Sequence, residues 1–207
     1  MSTAKNSRTR VRRPLEEARE HILAAAERLL IEEGPLSLKL VDVAAASGVV
    51  NATVLHHFGS IGGLHSALME RMIGQLVAKV LALGSYANDA PVQASAGVEA
   101  LFEVFETRGA ARLAAWLQLT GEWRRMTVVG DAVRRVVEQR TSRGGMSTDD
   151  ANDLVLVSVV MAMGAGLFGR AFSEQVGKPP DHARKLVEQM LREHVTATVR
   201  PSDVNAA

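Results

Sequence analysis

The stretch from residue 37 to residue 58 constrains the fold more than any other part of the 207-residue chain. Two short, mostly apolar segments flank Gly48, so the stretch predicts two short helices joined by a tight corner. Gly48 can take the left-handed conformation that ends a helix, and the small Ala44 lets a second helix cross closely. Val49 and Val54 are expected to anchor the corner to a core. The pattern therefore predicts a helix-turn-helix, which holds its second helix where it can enter a DNA major groove.

The composition favours an all-helical protein. Apolar residues make up 47% of the chain and aromatic residues only 4%, Ala, Leu and Val are abundant, and long stretches of the chain lack proline. The absence of cysteine excludes disulfides, thiolate metal sites and cysteine catalysis. The net charge of +1 carries no global signature of polyanion binding, so the distribution of charge matters more than its sum.

Helical periodicity continues on both sides of the corner, and no run of period two is long enough to indicate a sheet. We therefore predict an all-α fold with a three-helix helix-turn-helix head at the N-terminus and a helical body at the C-terminus. Helices are predicted at about 15–33, 38–46, 51–57, 61–83, 92–106, 109–119, 122–142, 148–172 and 180–198. Ser37, Asn51 and Ser60 have side chains suited to cap the second, third and fourth of these helices.

The distribution of charge along the chain indicates the predicted domain boundaries. Residues 1–13 carry five basic residues, no acid and no apolar pattern, so they predict a disordered basic arm. Residues 14–60 form the predicted DNA-binding head, in which acidic residues outnumber basic ones. Residues 61–207 form the predicted body, and the helix over 61–83 connects it to the head.

Residues 15–68 resemble the DNA-binding domain of TetR-type (tetracycline-repressor-like) bacterial transcription regulators. The matching residues are Ile22, Leu23, Ala25, Ala26, Leu29, Leu30, Gly34, Val43, Ala44, Gly48, Val49, Thr53, Val54, His57, Phe58, Gly59, Ser60 and Leu64. The resemblance implies a homodimer whose last two long helices pair with their mates in a four-helix bundle. It also implies that a ligand in the body changes the spacing of the two heads and releases operator DNA.

Three positions depart from the family pattern. Leu55 stands where the family usually has a tyrosine, Ile61 where it usually has a lysine, and Val50 where a capping serine is common. In the family the first two positions commonly touch phosphate. Each lost ionic phosphate contact would flatten the salt dependence of affinity by about 0.9 in the log–log slope. Either the arm compensates for these losses, or DNA binding is weakened or altered.

Candidate DNA contacts lie on the third predicted helix, at the start of the second predicted helix, and in the N-terminal arm. They are Asn51, Ala52, Thr53 and His56, then Ser37 and Lys39, and finally Arg10, Arg12 and Arg13. Asparagine can read adenine, alanine can meet a thymine methyl group, and an arginine-bearing arm can lie in the minor groove. The alternatives are that Asn51 only caps its helix, that Lys39 is a solvated surface residue, and that the arm only aids solubility.

The family resemblance places a ligand cavity among the middle helices of the body. Large or adaptable apolar side chains that could line it are Phe102, Phe105, Trp116, Leu119, Trp123, Met126 and Met161. An apolar pocket of this kind would suit a small hydrophobic or amphipathic effector. Ordinary core packing is the alternative for each of these residues.

The dimer interface is predicted where small residues recur at a spacing of four, which allows helices to approach closely. The candidates are Ala162, Ala165, Gly166 and Gly169, together with Leu186 and Met190 on the last helix. Packing within one subunit is the alternative for the small residues. The apolar stretch Leu154–Gly169 is shorter than the roughly 20 residues that cross a bilayer, so we expect a buried core helix and no membrane partner.

These features together predict a cytoplasmic, ligand-responsive repressor that binds a palindromic operator as a homodimer. The alternative is a small-molecule-binding helical dimer whose head has weakened or lost sequence-specific DNA binding and acts through a protein partner. No nucleophile motif indicates an enzyme, and no cofactor is expected. Adjacent His56 and His57 would point about 100° apart on a helix, so they cannot hold one metal ion together.

Overall fold

The computed structural model describes residues 15–86, 90–122, 127–142 and 146–199, and every regular element in these ranges is helical. The all-α prediction is confirmed. The helices are α1 Leu15–Glu33, α2 Leu40–Ser47, α3 Asn51–Phe58, α4 Ile61–Tyr86, α5 Ala90–Phe102, α6 Ala110–Leu119, α7 Thr127–Thr141, α8 Thr148–Gly164, α9 Arg170–Gln175 and α10 His182–Val199. A 3-10 turn spans Pro35–Ser37, a π-helical stretch at Glu103–Thr107 extends α5, and a second at Ala165–Gly169 joins α8 to α9.

The head consists of α1, α2 and α3, and its corner has the predicted geometry. Gly48 adopts the left-handed conformation, with φ 66° and ψ 27°. The backbone N–H of Val49 then donates to the carbonyl of Ala44 at 3.0 Å, which closes the end of α2. The imidazole of His21 bonds the carbonyl of Ser47 at 3.0 Å, so α1 is fixed against the same corner.

Only one of the three predicted caps has the expected hydrogen bond. Ser60 caps α4, because its Oγ accepts from the N–H of Gly63 at 3.0 Å. The prediction for Ser37 is wrong: its hydroxyl donates to the carbonyl of Gly34 at 2.7 Å in the preceding turn, and Lys39 occupies the capping position of α2. The prediction for Asn51 is also wrong, since α3 begins at this residue and Val50 precedes it without a side-chain cap.

Helix α4 belongs to both halves of the molecule. It runs without interruption over 26 residues, and it packs against α1 and α3 of the head and against α5, α6 and α7 of the body. Leu64, Leu68 and Met72 are fully buried along this helix. A single apolar core therefore extends from the head into the body, and a displacement of α4 must move both.

The most apolar helix is more exposed than the sequence predicted. α8, the π-helical stretch and α9 form one continuous helix, Thr148–Gln175, of 28 residues, which by length and composition could cross a membrane. Only 22% of its most apolar window is buried within the subunit. The expectation of a buried core helix is therefore wrong, because one face of this helix has no partner among the described residues of the subunit.

A carboxylate bridges the head and the body. Glu27 on α1 lies between two guanidinium groups: that of Arg71 on α4, and that of Arg108 after the π-helical stretch, whose Nε donates to it at 2.5 Å. Arg71 also donates to Glu20 at 2.6 Å. Arg108 donates to Gln75 at 2.6 Å. Three elements thus meet at one side chain that is only 12% exposed, and this group of five residues is called the Glu27 cluster below.

His65 forms a second contact between head and body. Its Nε2–H donates to the carbonyl of Leu38 at 2.8 Å, and its ring lies edge-on to Trp116 of α6, with ring centroids 4.6 Å apart. The side chain is buried, and its Nδ1 has no hydrogen-bond partner among the described residues. Burial lowers the pKa of His65, and the Leu38 carbonyl and Glu122 offset this only in part.

The lowered pKa of His65 predicts a loss of stability in mild acid. The unfolded chain takes up this proton below about pH 6.5, whereas the folded protein resists it, so stability is retained above that pH and falls as the pH decreases. Urea unfolding at pH 7.5 and pH 5.5 should show a smaller difference in His65→Gln than in the wild type. The matched control is His182→Gln on α10. An unchanged difference in His65→Gln would contradict the prediction.

Candidate functional site

The outer face of α3 carries the candidate base contacts. Asn51, Ala52 and His56 are exposed, Thr53 is half-buried, and Val54 points inward with no exposed surface. The corner between α2 and α3 therefore leaves the first turn of α3, and His56 one turn later, exposed on the outer surface of the head. These are the positions from which a recognition helix reaches base edges in a major groove.

The surface around α3 carries few groups that could bind phosphate through a charge or a hydrogen bond. Lys39 is exposed at the start of α2, where it can meet a phosphate, but the hydroxyl of Ser37 is already bonded to backbone carbonyls. Val50 and Leu55 are 65% and 40% exposed, whereas Ile61 packs partly against the core. Arg10, Arg12 and Arg13 lie outside the described residues. Among the described residues of this surface, Lys39 is the predicted charged contact.

A cavity of about 220 Å³ lies in the body among α4, α5, α7 and α8. Its walls are aliphatic for the most part, with one aromatic ring and two polar side chains among the described residues. They comprise Met69, Ile73, Leu76, Val77, Val80, Gly97, Val98, Leu101, Phe105, Ala114, Val129, Ala132, Val133, Val136, Arg140, Leu154, Val155, Ser158, Val159 and Met163. Such a lining can bind a small apolar group and position one or two polar atoms.

Of the predicted ligand-binding residues that the structure describes, only Phe105 lines this cavity. Phe102 is fully buried on another side of α5, where the guanidinium of Arg184 lies 5.5 Å from its ring centroid. Trp116 packs against His65, and Leu119 is 87% exposed at the end of α6. Met161 packs against the core away from the cavity. Trp123 and Met126 lie outside the described residues.

The residues that sequence reasoning missed are small and β-branched. Val129, Ala132, Val133 and Val136 of α7 recur at the spacing of one helix face and form a wall of the cavity. This periodicity was visible in the sequence. It also fits an ordinary core-facing helix, so periodicity alone cannot distinguish a cavity wall from a filled core.

The predicted stripe of small residues packs inside the subunit. Ala162 is fully buried, and a Cβ added at Gly166 would lie 3.1 Å from the Cβ of Ala111 in α6. A Cβ added at Gly169 would lie 3.4 Å from the Cβ of Ala183 in α10, and Ala165 is also buried. These residues therefore serve close packing within one subunit, the alternative that the sequence left open.

The same helices carry an apolar face on the outside of the subunit. Large apolar residues are exposed on the helix formed by α8, the π-helical stretch and α9, and α10, which packs against this helix, exposes Leu186 and Met190 by 48% and 56%. The face, called the α8–α10 face below, comprises Leu156, Val157, Val160, Phe168, Phe172, Leu186 and Met190. Contiguous exposed apolar surface of this kind marks an interaction site.

Comparison with known proteins connects this arrangement to one family. Residues 22–68 match the model of the bacterial regulatory proteins of the tetR family, over the head and the first turns of α4. No curated protein matches the chain.

Solved structures share the fold over nearly the whole length of the chain. The multidrug binding protein EbrR complexed with imidazole is 20% identical, with 91% of this chain and 98% of that chain covered and a TM-score of 0.60. A TetR variant from Acinetobacter baumannii AYE in complex with minocycline is 17% identical, with 85% and 93% covered and a TM-score of 0.60. A TetR-family transcriptional regulator from Streptomyces coelicolor is 18% identical, with 87% and 99% covered and a TM-score of 0.59.

At these identities the structural likeness shows the fold, whereas the match over residues 22–68 concerns the head itself. The helix-turn-helix corner, the long shared α4 and the helical body agree with both findings. The head of this chain is therefore similar to that of the tetR family of bacterial regulatory proteins, and the chain as a whole shares the fold of solved TetR-family regulators.

Proposed function

We propose that the chain is a cytoplasmic, homodimeric repressor that binds a palindromic operator and releases it when a small hydrophobic or amphipathic effector enters the body. The observation that carries the proposal is α3, which presents Asn51, Ala52 and His56 outward from a closed helix-turn-helix corner. Asparagine can read adenine, and the methyl group of alanine can meet a thymine methyl group. Thr53 and Lys39 are the proposed contacts to the DNA backbone, and Arg10, Arg12 and Arg13 in the arm would add contacts in the minor groove.

The α8–α10 face is the proposed dimer interface. Its large side chains, among them Leu156, Val160 and Phe172, are 58–62% exposed in the single subunit, although they belong to the most apolar helix of the chain. Burial of such a face against its own copy removes apolar surface from water and generates a two-fold axis. A two-fold dimer places its two recognition helices on successive turns of one face of the duplex. The proposed operator is therefore palindromic.

The cavity in the body is the proposed effector site. Met69 and Ile73 of α4 line it, and Arg71 on the same helix holds Glu27 of the head. Phe105 in the π-helical stretch also lines it, and that stretch leads directly to Arg108, the second partner of Glu27. A ligand that displaces either segment would move α1 through the Glu27 cluster. The solved neighbours with imidazole and minocycline support ligand binding by this fold.

A second candidate function follows from the apolar surroundings of α3. Exposed Val41, Val50 and Leu55 offer phosphate neither a charge nor a hydrogen bond. The chain would then be a small-molecule-binding dimer whose head has weakened or lost sequence-specific DNA binding and contacts a protein partner. The two candidates differ in one measurable quantity, the ratio of affinity for a selected site to affinity for random DNA.

Selection of bound sites from random DNA should yield a palindrome with two half-sites about one helical turn apart. Affinity for that site should exceed affinity for random DNA by at least about 10³-fold at physiological salt. Val160→Asp, which places a charge in the α8–α10 face, should give a monomer and lose the two-half-site footprint, whereas the matched control Asn152→Asp should keep both. A ratio near one at every salt concentration would establish the second candidate instead.

Glu27→Gln should weaken communication between effector and operator. The substitution keeps the shape of the side chain but removes the charge between Arg71 and Arg108, so we expect stability to fall by about 1–3 kcal/mol. Operator affinity should fall less than the effector's ability to release DNA, because the surface of α3 is unchanged. Glu17→Gln, exposed on the same helix, is the matched control. Normal release in Glu27→Gln would show that the Glu27 cluster does not transmit the signal.

A further inference from the structure

The walls of the cavity indicate the chemical class of the effector. We propose that the cavity binds a neutral aliphatic chain of about eight to ten non-hydrogen atoms, whose carbonyl or hydroxyl oxygen lies near its middle and bonds the hydroxyl of Ser158. Medium-chain ketones and secondary alcohols belong to this class. The inference rests on the proposed function, since it takes the cavity to be the effector site, and it adds the charge of the ligand and the position of its polar atom.

The described residues that line the cavity favour a ligand without charge. No aspartate or glutamate is among them, so a cation would leave water without a carboxylate to receive it. Arg140 also lines the cavity, but this residue already takes part in another interaction, so its charge is not available to a ligand. The other described lining residues are apolar apart from Ser158. A charged group would therefore lose its hydration without compensation.

Ser158 on α8 supplies the polar atom that would bind the ligand. Ser47 and Ser173 also lie in helices, and their hydroxyls donate to the carbonyls four residues earlier, at 2.6 Å and 2.7 Å. The hydroxyl of Ser158 forms no hydrogen bond with another described residue, although this residue lines the cavity. It can therefore donate to a ligand carbonyl or accept from a ligand hydroxyl.

The length of the walls indicates an extended chain. The lining residues of α4 run from Met69 to Val80, and those of α8 run from Leu154 to Met163. At a rise of about 1.5 Å per residue these stretches are about 14–17 Å long, so the cavity is elongated along the helices. Ser158 lies about 6 Å along α8 from Leu154 and about 8 Å from Met163. A ligand that fills the cavity would thus place the middle of its chain, and not its end, beside the hydroxyl.

The volume of the cavity sets the length of this chain. Apolar cavities of about 150 Å³ accommodate benzene, so about 220 Å³ suits roughly 8–10 non-hydrogen atoms. 4-Octanone falls in this range and has its carbonyl near the middle of the chain. 2-Octanone is an isomer of nearly the same hydrophobicity whose carbonyl lies next to the end. Octanoate and octylammonium are the anionic and cationic counterparts of the same chain length.

An extended ligand would also contact the two segments that hold Glu27. Met69 lies two residues before Arg71 on α4, and Phe105 lies in the π-helical stretch that leads to Arg108. Occupation of the full length of the cavity therefore bears on both guanidinium groups of the Glu27 cluster. In the proposed function, this is the contact through which the ligand would displace α1.

Calorimetric titration of the full-length protein with the four probes, each below its solubility limit, tests the proposal. We expect 4-octanone to bind at least about fivefold more tightly than 2-octanone, because only the central oxygen meets Ser158 while the chain fills the cavity. Octanoate and octylammonium should bind at least about tenfold more weakly than 4-octanone. Ser158→Ala should bring the two ketones to equal affinity. Ser158→Cys, with its weaker donor, should keep part of the preference.

Val159→Ala is the matched control for the substitutions at Ser158. It enlarges the cavity at the neighbouring position without changing the polar groups of the wall. The affinities for both ketones should therefore change together, and their ratio should stay as in the wild type.

Four results would overturn the proposal: equal affinity of the wild type for the two ketones, a preference retained in Ser158→Ala, binding of either charged probe as tight as that of 4-octanone, or no binding of any probe. The thermal midpoint of each variant without ligand shows whether it is folded, and Ser158→Cys keeps the test decisive if Ser158→Ala is not. Because binding is measured without DNA, it is independent of operator recognition. Release of the selected operator by both ketones alike would refute this inference and leave the proposed function intact.

Discussion

The continuous apolar core along α4 is the constraint on which the rest of the structure depends. The same helix buries Leu64 beneath the head and Leu76 in the body, so neither half has a complete core without it. Well-packed interiors transmit a displacement instead of absorbing it. In the proposed function, an event at the cavity wall would reach the head through this shared helix, and the Glu27 cluster adds a second connection to α1.

Much of the fold could be predicted because the local signals agreed with the tertiary structure. Gly48 ends α2 in the conformation that only glycine adopts easily, and Ser60 caps α4 as its residue type suggests. The capping predictions for Ser37 and Asn51 failed because another arrangement satisfied the backbone. A 3-10 turn takes up the Ser37 hydroxyl, and Asn51 belongs to the first turn of α3, where it stays exposed.

The cavity lining was harder to predict, because the size of a side chain does not show whether it faces a cavity. The prediction was based on large or adaptable apolar side chains, yet Phe102 is fully packed and Leu119 faces solvent. A cavity remains where side chains are too short to meet across the body, as along Ala132 and Val133 of α7. Similarly, the small residues around Gly166 signalled close helix packing correctly, but no sequence rule indicated whether the partner helix belonged to the same subunit. These features depend on the packing of several helices, which the local pattern does not contain.

The central claim is that occupation of the cavity moves the heads, and the distance between the two heads of the dimer tests it most directly. The chain has no cysteine, so Ala45→Cys on the exposed side of α2 introduces one spin label per head and leaves the surface of α3 unchanged. Pulsed electron paramagnetic resonance would give the label-to-label distance in the free dimer, on the selected operator, and with a compound shown to bind the cavity. The account predicts a shift of a few ångström between the operator-bound and ligand-bound states, and a smaller shift in Glu27→Gln. Identical distances with and without the ligand would contradict it.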